Sequence, residues 1–208
     1  VEQVYDLLIA KGRMSEAQKS DIMARYQGST QFADLSEVDM VIEAVFERLD
    51  VKRAVFEQLD KVLKPDAVLA SNPSYIDIDE ISSATNRREH VLGLHFFSPA
   101  NIMKLLEIVV PQSAADDVVA TGFALAKILG KIPVRAGNSP GFIGNRILGK
   151  YGDCAAHMME DGATPYEIDA AIVEFGYPMG LHAMYDLAGL DIGWDNRKAA
   201  QGKRNPAE

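Results

Sequence analysis

Cysteine is almost absent: Cys154 stands alone among 208 residues, so no internal disulfide can form. Such usage suits a reducing compartment, here expected to be the cytoplasm. As a nucleophile Cys154 is poorly placed. With Ile143, Ile147, Tyr151 and Met158 it falls on one helical stripe, and packing is the ordinary role of such a residue. A basic excess is also missing. Twenty-one Lys and Arg against 30 Asp and Glu leave a net charge of −9, which disfavours nucleic acid and anionic membrane surfaces as partners. No apolar run approaches the roughly 20 residues of a membrane-spanning helix, so no membrane insertion is expected. No signal peptide is visible: VEQVYDLLIAKGR is amphipathic, and it lacks an initiator Met, as if the chain began partway into a gene product. Lastly, no G-x-G-x-x-G follows a strand and opens a helix; GYPMG and GNSPG have the wrong context. Spacing alone therefore names no cofactor.

What is present reads as a globular chain, 48% hydrophobic and 25% charged. Residues 1–27 predict two helices, the first striped by Val1, Val4, Tyr5 and Leu8 and closed by Gly12, the second opened by a Ser15/Gln18 capping box. VDMVIEAVF (38–46) is an apolar run broken only by Glu43, as in a strand covered on both faces. A helix over 51–63 follows, with Val51, Val55, Leu59 and Val62 on one side. Strands are expected at 67–72, 90–97, 104–110 and 132–136. Helices are expected near 77–84 and, capped by Ser113 with Asp116, through about Leu129. Alternating strands and helices imply a mostly parallel, doubly wound sheet. After residue 137 the pattern turns helical: from Pro140 at a first helical position to about Glu160, from the Thr164/Glu167 capping box to Gly176, and again over 181–200. The chain thus divides into an α/β portion, 1–136, and an all-helical portion, 138–208, with a polar tail AAQGKRNPAE.

One apolar stretch, HVLGLHFFSPANIMKLLEIV (90–109), carries His95 and Glu107. In doubly wound sheets ligands bind outside the carboxyl ends of the strands, where His95 falls. Glu107 lies on the next strand and could neighbour it across the sheet. A carboxylate beside an imidazole fixes its tautomer and favours its charged form, which tunes a general base. A satisfied core pair explains the same two residues.

VIEAVFERLDVK (41–52), LASNPS (69–74), GLHFFSPANIMKLLEIV (93–109), PGFIGNR (140–146) and GYPMG (176–180) together resemble the L-3-hydroxyacyl-CoA dehydrogenase family, in order and over nearly the whole chain. DGATPYEIDAAIVEFGYPMG and DLAGLDIGW are most similar to the version inside multifunctional fatty-acid β-oxidation enzymes. The resemblance implies a Rossmann-type, doubly wound α/β domain followed by an all-helical domain, with the site between them. It implies NAD-dependent oxidation of an L-3-hydroxyacyl-CoA, and often a homodimer through the helical domain. No metal is implied. The catalytic histidine of the family falls on His95 and its carboxylate partner on Glu107; the serine and asparagine that complete the site fall on Ser74 and Asn145. Cofactor contacts fall on Glu47, Lys52, Asn72 and Ser98. His90, His157 and His182 match no site position.

The family's first strand, glycine-rich loop and acidic ribose-binding residue would all precede Val1, so the Rossmann-type sheet is expected to lack its first strands and to expose an edge. Pro73 stands where Thr is common, and Leu181-His182 replace a usual Pro-Phe. Rival readings are a dehydrogenase of 3-hydroxy acids or sugar acids without CoA, and a fragment without catalytic competence.

Overall fold

The computed structural model describes residues 1–189 and Lys198. Five strands make one sheet in the order β1 (Met40–Glu43), β2 (Val68–Ser71), β3 (Val91–Phe96), β4 (Leu105–Val110), β5 (Ile132–Gly137). β1, β2 and β3 run parallel, as do β4 and β5. β4 is antiparallel to β3. The connection between them, 97–104, is too short for a crossover, which needs a dozen residues or more. The expected mostly parallel sheet is therefore present with one reversed step, and that step falls at His95 and Glu107.

The sheet is covered on both faces, and period-two alternation sorts the residues. Leu69, Val91, Val109 and Ala136 pack with Phe56 and Leu59 of α3 (Leu49–Val62), with Leu63 just after it, and with Ile78 and Ile81 of α4 (Ile78–Ser82). Val68, Ala70, Leu92, Leu94, Leu106 and Ile108 pack on the other face with Val118 and Ala126 of α5 (Asp116–Ile128). Two local expectations are corrected. The buried face of α3 centres on Lys52, Phe56 and Leu59, with Val51, Val55 and Val62 at its margins, because Lys52 finds buried acceptors. Ser113 does not cap α5; its hydroxyl donates to the Arg88 carbonyl, and Ala115 occupies the cap position.

β1 is shorter than the apolar run it comes from, and it forms the sheet edge, with Ile42 39% exposed. α1 (Glu2–Ala10) and α2 (Glu16–Met23) form as expected, the Ser15/Gln18 capping box included, but neither buries a residue.

The helical portion begins later than Pro140 suggests. α6 runs Gly144–Glu160, after a turn in which Phe142 holds φ at +48°. α7 (Pro165–Phe175) carries the predicted Thr164/Glu167 box and stops at Gly176, φ +118°. α8 is Leu181–Ala188; its expected continuation to 200 and the polar tail lie outside the described residues, apart from Lys198. Ala155, Ile168 and Leu181 form a small core. The stripe predicted to pack on α6 is instead exposed at Ile147, Tyr151, Cys154 and Met158, and the last three border a groove of about 490 Å³ between α6 and α7.

Candidate active site

Antiparallel register sets His95 directly opposite Glu107, so their side chains leave the same face of the sheet. Alternation places them in line with Val91 and Gly93 on one strand and Val109 on the next, which is the face that packs with α3 and α4. A polar pair thus replaces the apolar stripe at the carboxyl end of β3. His95 Nδ1 lies 2.6 Å from Glu107 Oε2, and the two residues are 4% and 1% exposed. The Phe97 and Phe142 rings, 4.5 and 5.4 Å away by centroid, flank the imidazole and keep water from it.

The second carboxylate oxygen reaches the helical portion. Glu107 Oε1 accepts from the Ile143 N–H (3.0 Å) and the Gly144 N–H (2.8 Å), the opening amides of α6. Helix starts carry unpaired donors and a positive dipole end, so a buried carboxylate is well held there. Burial alone pushes the Glu107 carboxyl up; His95 and the Gly144 and Ile143 amides outweigh it and hold the group below the usual carboxylate value. The left-handed Phe142 delivers those amides, a conformation that costs of order 1–3 kcal/mol for a non-glycine residue. At Gly144 a Cβ would lie 2.7 Å from Phe97 Cζ, so a side chain there would displace the ring that flanks His95.

α6 also brings Asn145 to the α/β portion, where its Nδ2 donates to the Ser74 carbonyl at 3.3 Å. Ser74 follows β2, and Glu47 Oε1 accepts from the amides of Ser74, Tyr75 and Ile76 at 2.7, 2.9 and 3.3 Å. The Pro73 departure therefore leaves this loop well anchored. Asn72 Oδ1 accepts from the Phe96 N–H at 3.0 Å, tying the end of β2 to the strand of His95. Ser98 is exposed just beyond β3. The start of α6 thus meets the α/β portion twice, its Ile143 and Gly144 amides at Glu107 and its Asn145 side chain at the Ser74 loop that Glu47 holds, while Asn72 is bonded to Phe96 next to His95.

Lys52 is placed differently from a residue that offers free charge to a ligand. Its side chain is fully buried, and its ammonium meets Glu43 Oε1 and Oε2 at 2.9 and 3.2 Å and Glu47 Oε2 at 3.6 Å. Glu43, also bonded by the Ser71 hydroxyl (2.6 Å) and the Val45 N–H (2.7 Å), was not anticipated as a partner. Its signal was there: one carboxylate in an apolar strand, and one lysine on the buried side of the next helix. The Phe97 and Phe142 walls and the α6 amides gave no comparable signal. His182 and Leu181, the other departure, serve the helical portion. Asp169 accepts from the His182 N–H and Nδ1 and from the Ala183 N–H, capping α8, while Leu181 is buried. His157 faces Glu160 on the surface of α6.

Sequence comparison matches residues 1–139 to the family described as 3-hydroxyacyl-CoA dehydrogenase, NAD binding domain, and residues 141–207 to its C-terminal domain. The peroxisomal bifunctional enzyme of Danio rerio is 47% identical over 170 residues, covering 82% of this chain and 24% of that protein. The chain spans about a quarter of the length of such curated relatives. The 3-hydroxybutyryl-CoA dehydrogenase of Clostridioides difficile is 40% identical over 187 residues, covering 89% of this chain and 66% of its own length. Among solved structures, the (S)-3-hydroxybutyryl-CoA dehydrogenase PaaH1 of Ralstonia eutropha superposes with a TM-score of 0.86 at 36% identity, over 91% of this chain and 68% of that one. With both domain profiles matched in order and the fold shared, this chain belongs to the 3-hydroxyacyl-CoA dehydrogenase family.

Proposed function

We propose that the chain is the dehydrogenase part of a fatty-acid β-oxidation enzyme and oxidises an L-3-hydroxyacyl-CoA to the 3-ketoacyl-CoA. One observation carries this reading: the buried His95–Glu107 pair at 2.6 Å, closed over by the first amides of α6. A carboxylate only accepts, so it fixes the imidazole proton on Nδ1 and leaves the Nε2 lone pair for the alcohol proton. Glu107 then stabilises the imidazolium that forms. Ser74 and Asn145 supply donors for the substrate oxygens and hold the reacting carbon in place.

NAD is the cofactor of this reading, and when bound it takes the hydride. The residues present suit its nicotinamide end. Asn72 and Ser98 offer neutral amide and hydroxyl groups near the carboxyl end of β3, matched to a carboxamide and ribose hydroxyls. Glu47 accepts from the loop that follows β2, at Ser74, two residues after Asn72. Lys52 would act there through Glu47, since its charge is already met.

The functional units are 1–136 and 138–208, meeting at this site. The exposed apolar groove of α6 and α7 supports a homodimer through the helical domain. A single thiol supports a reducing compartment, with the cytoplasm as the proposed location; its relatives include enzymes named as peroxisomal, and imaging of a tagged chain separates the two. No helix among the described residues is long and apolar enough to cross a membrane. The CoA thioesters in the names of two relatives favour CoA substrates over free 3-hydroxy acids or sugar acids. Parallel assays with acetoacetyl-CoA and free acids test that choice. His95→Ala should abolish turnover and leave acyl-CoA binding largely intact; full activity in that variant rejects the base assignment.

A further inference from the structure

Glu47 does something at the site that no cofactor contact explains. Its Oε1 gathers three consecutive backbone N–H groups, those of Ser74, Tyr75 and Ile76. Its Oε2 faces the Lys52 ammonium at 3.6 Å, with Lys52 fully buried and Glu47's side chain 37% exposed. Behind Lys52, Glu43 is bonded by Ser71 at the end of β2 and by Val45 after β1. The interactions thus run without a break from the sheet core through Glu43, Lys52 and Glu47 to the Ser74 loop. They continue through the Ser74 carbonyl to Asn145 on α6.

We propose that Glu47 is a positioning residue: its carboxylate, held by the buried Lys52–Glu43 pair, fixes the Ser74 loop and thereby the place of both Ser74 and Asn145 against the substrate. The physical ground is the loop's own need. Three adjacent amides on an irregular segment have no strand or helix to pair with, and a single anionic acceptor satisfies them together. A loop so pinned cannot drift, and drift of about 1 Å at a reacting centre costs on the order of a hundredfold in rate. This rests on the roles proposed above for Ser74 and Asn145.

The test compares Glu47→Ala and Glu47→Gln with the parent in the full chain. Expected for Glu47→Ala is a kcat at saturating NAD lower by about 10- to 100-fold, a loss beyond any change in NADH affinity read by fluorescence titration. Glu47→Gln keeps one acceptor oxygen and should recover part of that loss. Combining Glu47→Ala with Ser74→Ala should cost far less than the product of the two single effects, since both act on one group. Hydrogen exchange of the peptide 73–77 should quicken in Glu47→Ala. Weakened NADH binding with kcat intact at saturation overturns the proposal, as does unchanged exchange, or a Gln variant no better than Ala. Should Glu47→Ala not fold, the parent decides: amides of 74–76 exchanging at open-loop rates overturn it, and protected amides support it. Should the parent turn over no substrate on its own, the exchange measurements alone judge the positioning role, and the functional reading is judged separately by the His95→Ala comparison in the complete enzyme.

Discussion

Glu107→Gln separates the two things this carboxylate does. Gln is nearly isosteric, so the cavity is kept, but one oxygen becomes an NH2 donor. Two backbone amides, Ile143 and Gly144, point at the Oε1 position from 3.0 and 2.8 Å. Turning the NH2 toward them would leave two buried donors without an acceptor, at about 1–3 kcal/mol each. The NH2 must therefore face His95 Nδ1. There it donates, so Nδ1 must accept, and the ring proton moves to Nε2. In that tautomer Nε2 has no lone pair for the alcohol proton, and the imidazolium loses its counter-charge. The oxidation rate should fall by about 10²–10⁴-fold, the usual contribution of a general base. Stability should change much less, because the backbone bonds to the α6 amides persist. The assay is 3-hydroxybutyryl-CoA-dependent NADH formation, beside a melting curve and nitrogen NMR of the His95 ring. A variant that keeps the Nδ1–H tautomer, or turnover within a factor of about three of the parent, well short of any general-base loss, refutes the reasoning.

Further outcomes are expected elsewhere. Acid should loosen the contact between the two portions. The Glu107 carboxyl lies below its ordinary 4.5 when folded, so its contribution is complete above that value and is lost as pH falls through the folded value. A melting temperature unchanged as pH falls well below 4.5, or one falling equally in Glu107→Gln, contradicts this. Gly180→Ala should destabilise the helical portion by about 1–3 kcal/mol through overpacking. A Cβ there would sit 2.2 Å from Asp169 Cγ and push the carboxylate off the start of α8. Chemical denaturation reads that loss directly, and a neutral substitution removes Asp169 as the cap.

The sequence by itself was enough for the alternation of strands and helices, the capping boxes at Ser15 and Thr164, and the stop at Gly176. Those depend on residues a few positions apart, and local chemistry decides them. His95 and Glu107 were also legible as a pair, because a histidine and a carboxylate inside apolar strands need a reason to be buried. Local pattern misled where a distant partner supplied the answer. Lys52 sits at the centre of a buried helix face because Glu43, nine positions earlier, and Glu47 neutralise it there. Pro140 does not open a helix, because the chain first turns through Phe142 to bring two amides onto Glu107. The α6 stripe reads as core, yet the described residues leave it open. Only the tertiary structure decided that β4 runs antiparallel to β3, that one carboxylate grips both the imidazole and the neighbouring portion, and that Glu47 holds the Ser74 loop. Each joins residues 10 to 37 positions apart in the chain, and no local propensity fixes contacts at such separations.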